Sequence, residues 1–177
     1  MKKFLRKNFG RNILIIVFPL LLLFFSQHIY QFKTNLDYYL AAIIFYMMLL
    51  ISVVYFIAFQ TEYIYDFIKK KDSKLKFVLR TVFYIISFSL TFSGYYLSIY
   101  LFDNNNFINV TSGNFVEVYF DFFFYSIGVF LINNNSSILA NTFFAKLITI
   151  TEILSSFISI IIILGNFKAL RNLINDS

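Results

Sequence analysis

The chain has 177 residues, 59% of them apolar and 22% aromatic against 14% charged, with a mean hydropathy of +0.74. One domain of that length cannot bury 26 Phe and 13 Tyr beside its long Ile and Leu runs, so the composition asks for lipid as the solvent. The absence of cysteine excludes disulfides, cysteine-held metals and thiol catalysis, and a single histidine, His28, leaves almost no material for a histidine cluster or a serine triad. The net charge of +6 is read first as membrane orientation, not as nucleic-acid binding.

A bilayer core requires about 20 consecutive apolar residues of helix. Asn12 to Phe32 is the first such stretch, uncharged and with Pro19 inside it. The basic tail before it has the form of a signal-peptide n-region, but Ser26 to Tyr30 holds no pair of small residues suited to cleavage, so the helix is expected to be retained. A short loop over Lys33 to Asp37 leads to the second span, Tyr38 to Thr61. Beyond it Tyr63, Ile64, Phe67 and Ile68 recur at helical spacing, so that helix is expected to continue past the bilayer or to lie on its surface. Its lysines are read as topology anchors or as contacts for anionic lipid head groups. Thr81 to Phe102 is the third span, and Leu147 to Phe167, interrupted only by Glu152, is the fourth. Of fifteen Lys and Arg, all but Lys33 and Lys146 fall on one side if both termini are cytoplasmic.

Between the third and fourth spans the chain opens with a polar tract containing Asn104, Asn105, Asn106, Thr111, Ser112, Gly113 and Asn114, which reads as an exposed outer loop. Phe115 to Ile132 follows, with Glu117 and Asp121 four apart near its start, where carboxylates favour a helix N-terminus. Its apolar core, Phe122 to Ile132, is too short to cross. Asn133, Asn134, Asn135, Ser136 and Ser137 come next. A short apolar helix, a polar extended run and then a full span is the plan of a pore loop, where irregular backbone at membrane depth is tolerated because it lines water.

The stretch Tyr119-Phe-Asp-Phe-Phe-Phe-Tyr-Ser126 resembles the aromatic pore helix of the two-helix pore module of potassium channels, whose members commonly read D-A-x-Y-F-S. Ala145-Lys-Leu-Ile-Thr-Ile-Thr-Glu-Ile-Leu-Ser155 resembles the start of their inner helix, close to A-K-L-x-T-x-x-E-I-L-x-G, and the distance from Ser126 to Lys146 is kept without a gap. The resemblance covers about Val82 to Phe167. It implies that Ile132, Asn133, Asn134, Asn135 and Ser136 stand where those channels carry the T-V-G-Y-G filter, that Ser137 replaces the acidic residue after it, and that Asp121, Ser126, Glu152, Ser155 and Ser156 belong to the pore and inner helices. Ser155 and Ser156 stand where a hinge glycine is common. Asn134 in place of the first filter glycine and Ser136 in place of the second imply weakened or lost potassium selectivity. Glu152 has two readings: four copies ring a cavity behind the filter and favour cations, or each copy bonds Ser126 or the pore-helix backbone and fixes the packing.

The fold expected is an all-α membrane protein of four transmembrane helices plus a re-entrant pore helix between helices three and four. Residues 1–80 form a two-span hairpin with a basic tail and loop, and residues 81–177 a channel-like module. Its expected place is the plasma membrane, with both termini cytoplasmic. Its expected partners are the bilayer, monovalent cations, and further copies or related channel subunits in a tetramer. No catalytic residues, metal site, cofactor or nucleic-acid contact is expected, and no enzymatic reaction. The competing class is a non-conducting membrane adaptor, immunity or assembly protein with a vestigial loop.

Overall fold

The computed structural model describes residues 35–70, 74–111, 113–133 and 136–166. The first expected span, Asn12 to Phe32, lies outside the described residues, as do Asn134 and Asn135. The described chain is mostly helical, and three of its helices are long and apolar enough to cross a membrane, which marks a membrane protein.

Helix α1 runs over Asn35–Lys70, 36 residues and about 54 Å at 1.5 Å per residue. Neither Gly nor Pro interrupts it, and its many β-branched residues are no obstacle, because in lipid a backbone can satisfy its own polar groups only as a helix. Helix α2, Lys74–Phe102, folds back against it. Near the join the Tyr63 and Phe77 rings stack at 6.1 Å, the Phe67 and Phe77 rings lie 4.8 Å apart, and the Arg80 guanidinium sits 5.2 Å over the Tyr63 ring. The helical spacing seen after Thr61 is thus real helix. Residues 62–70 and 74–80 are helical, on either side of residues 71–73.

After α2, Asp103 caps a single 3₁₀ turn over Asn104–Asn106 by accepting from the Asn105 N–H at 2.9 Å. A two-residue strand β1, Phe107–Ile108, follows. Helix α3 spans Phe115–Phe130, 16 residues or about 24 Å, short of a bilayer crossing. The chain then returns to strand β2, Leu139–Ala140, which pairs antiparallel with β1 in the register Phe107 to Ala140 and Ile108 to Leu139. Helix α4, Phe143–Gly165, closes the described chain.

Aromatic rings fill the space between these helices. Phe122 and Tyr125 of α3 are buried against Tyr96 of α2 and against Phe107 of β1, with centroids 4.9 Å apart for Phe107 and Phe122 and 5.1 Å for Tyr96 and Tyr125. Phe88 touches Phe130 of α3 at 5.3 Å and Phe56 of α1 at 5.4 Å. Most of these pairs meet edge to face, the arrangement that the ring quadrupole favours.

Candidate functional site

The loop between α2 and α4 is clamped at its base. Asn106 is fully buried: its amide donates to the Ile99 carbonyl at 2.8 Å, and its side-chain oxygen accepts from the Thr142 hydroxyl. The Asn141 backbone N–H donates to the Asn106 carbonyl at 2.9 Å, and its side chain to the Asn105 carbonyl at 3.0 Å. The asparagine tract was expected to be an exposed loop. Asn104 and Asn105 are exposed, but Asn106 is a structural pin, a role its neighbours in the triplet hide. With β1 on β2, residues 109–138 therefore leave and rejoin the helices at one place.

Within that loop Asn114 begins α3 with a reciprocal cap: its side chain accepts from the Val116 and Glu117 N–H groups, while Glu117 accepts from the Asn114 N–H at 3.1 Å. Gly113 is suited to this fold, since a Cβ there would collide with the Glu117 carboxylate. Asp121, one turn on, accepts a hydrogen bond from the Thr111 hydroxyl. At the far end α3 stops in a Schellman turn, the Asn133 N–H reaching the Gly128 carbonyl at 2.8 Å and the Ile132 N–H the Val129 carbonyl at 3.1 Å. That turn places Ile132 at φ 56°, a left-handed conformation costly for a β-branched residue.

Of the positions that the resemblance likened to a filter, Ile132 and Asn133 are exposed, Ser136 is half-buried and caps the Ile138 N–H at 3.1 Å, and Ser137 is exposed with its carbonyl accepting from the Asn109 side chain at 3.1 Å. Asn134 and Asn135 lie outside the described residues. Asn visits a left-handed backbone more readily than other non-glycine residues. Among the described residues of the segment it is Ile132 that adopts one. An open cavity of about 450 Å³ separates the returning chain from α3, lined by Asp121, Phe124, Gly128, Asn133, Ser136 and Ser137 among others.

Behind α3 lies the carboxylate that the sequence left between two roles. Glu152 of α4 is fully buried, and its two oxygens accept from the hydroxyls of Ser126 of α3 and Tyr96 of α2, each at 2.5 Å. One side chain thus ties three helices together. Glu152 is enclosed within a single chain, and its bond to Ser126 is the geometry that the packing reading calls for.

Glu152 belongs to a longer polar seam. Thr151, Glu152, Ser155, Ser156 and Ser159 are all buried on α4. Thr151 meets the Tyr46 hydroxyl of α1 at 3.2 Å. Ser159 meets the Tyr84 hydroxyl of α2 at 3.2 Å, and its carbonyl accepts from the Gln60 amide of α1 at 3.1 Å. Ser155 and Ser156 donate to the Thr151 and Glu152 carbonyls of their own helix, at 2.6 and 2.9 Å. Where a hinge glycine was the comparison, α4 is unbroken helix. Sequence reasoning missed Tyr46, Gln60, Tyr84 and Tyr96. The signal was a polar or phenolic group recurring on helices otherwise made of Ile, Leu and Phe, and only the crossing of the helices shows which partner each one meets.

Comparison with family models, with curated proteins and with solved structures finds no match for this chain.

Proposed function

We propose that this protein is a pore-loop ion channel, or a channel-like subunit, that passes monovalent cations with little or no preference for potassium. The observation that carries the reading is the clamped loop: a 16-residue helix, too short to span, within a loop whose two ends are held together by β1 and β2 between two apolar helices of membrane length. In this reading α3 is a re-entrant pore helix, residues 132–137 line the conduit, and α1, α2 and α4 are the second, third and fourth of four spans. The excess of basic residues supports an orientation with both termini and the α1–α2 join on the cytoplasmic side of the plasma membrane. One loop cannot enclose an axis, so conduction requires a tetramer, of identical copies or mixed with subunits that bring glycine filters.

The described part of the conduit offers side-chain amides and hydroxyls where stacked carbonyls would strip an ion of water, so ions pass partly hydrated. The test is reversal potential across bilayers containing purified protein, with potassium on one side and sodium on the other. A cation current with weak discrimination is expected, sharpened toward potassium by Asn134→Gly with Ser136→Gly. Strong native potassium selectivity would overturn the relaxed-filter idea, and silent but well-folded assemblies would move the assignment to a non-conducting adaptor.

A further inference from the structure

The hairpin of α1 and α2 is longer than a bilayer needs. Counted back from Phe102, about twenty residues of α2 cross the hydrocarbon and reach Phe83. Lys74 to Val82, about 13 Å of helix, therefore sit at head-group depth. On that segment Leu75, Val78, Leu79 and Val82 share one face, and the first three are 68%, 55% and 60% exposed. The same helix carries exposed Lys76 and half-buried Arg80, over the Tyr63 ring, and α1 ends nearby in sequence with exposed Lys69, its ammonium 5.9 Å over the Tyr65 ring. Residues 69–80 hold six cations against Asp72 alone, a net +5, and Glu62 and Asp66 lower this only to +3 over 62–80. An aliphatic stripe at this depth stays out of water only if the bilayer surface is drawn up to it, which brings lipid phosphates level with the lysines.

We infer that the tip of the α1–α2 hairpin is a binding surface for anionic phospholipid, with Leu75, Val78 and Leu79 against the upper acyl chains and Lys69, Lys76 and Arg80 against the head group. This surface is independent of the pore reading. It is tested by carrying the full chain from nanodiscs of equal phosphatidylglycerol and phosphatidylcholine into native mass spectrometry. Retained lipid should be mostly phosphatidylglycerol. Lys69→Gln with Lys76→Gln should reduce that preference by about thirtyfold, and Leu75→Ser with Leu79→Ser should shorten retention with circular dichroism unchanged. Lys146→Gln, far along the chain on α4, should leave it intact. Equal retention of the two lipids by the native chain, an unchanged preference in the lysine variant, or displacement of the lipid by soluble glycerol phosphate would each overturn the assignment.

Discussion

Glu152 and Ile132 show how single residues trade stability for position. The Tyr96 and Ser126 hydroxyls are both buried and both donate to Glu152, so Glu152→Ala leaves two donors without an acceptor beside a new cavity. A loss of about 3 kcal/mol is expected in denaturant unfolding of the detergent-solubilised protein. Glu152→Gln can still accept one hydroxyl bond and donate to the other oxygen, and should cost about 1 kcal/mol or less. Equal losses for the two variants would mean that the side chain's volume, not its hydrogen bonds, sets the stability. Ile132 behaves oppositely. It is 55% exposed and left-handed, so it carries strain with little packing to offset it. Ile132→Gly should raise stability by about 1 kcal/mol; a decrease would show that the isoleucine side chain, not its backbone, governs the turn.

At the scale of elements, the two-residue ladder is the smallest piece of secondary structure and the one that sets the loop's geometry. Ile108 and Leu139 are register partners, both exposed, in a chain without cysteine. Ile108→Cys with Leu139→Cys should therefore close an intramolecular disulfide on mild oxidation, read as a shift in peptide mass after proteolysis, because facing residues of an antiparallel pair lie about 5 Å apart. Failure to cross-link while helicity is kept would remove the clamp. The ladder was not legible in the sequence, since two residues carry no period. The long helices were legible, because lipid allows an apolar run no other form, and the cap at Asn114 has its signature in Glu117 three residues on. The length of α1 was legible only as spacing, through Ile64 and Phe67. The role of Asn106 was not, because its neighbours have the same side chain and only the distant Thr142 tells them apart.

For the whole molecule the question is which side of the bilayer each end of α3 faces. Asn114 and Asn141 are exposed at the two ends of the loop segment. As single cysteines both should react with an impermeant thiol reagent from the same side of sealed cells. Labelling from opposite sides would make α3 a crossing helix and overturn the re-entrant reading along with the orientation. The candidate site was only half legible at this scale. Glu152 stood out as the charge interrupting an apolar span and Ser126 came with the resemblance to a pore helix, whereas the third partner, Tyr96, comes from a helix 56 positions away in the chain, and no local pattern marks it.

Thr151, Ser155 and Ser159 repeat every four residues on α4, so the hydroxyl half of the seam is nearly self-similar. Slid by one turn, about 6 Å, α4 would carry Ser155 to the level of Tyr46 or of Tyr84 and keep part of its pairing. Like a rack with evenly cut teeth, such a face does not by itself say which notch is home. The carboxylate has no copy along the helix and finds both of its donors at one setting only. Glu152 is in this sense the index mark of the bundle, with its full burial as the cost of an unambiguous zero.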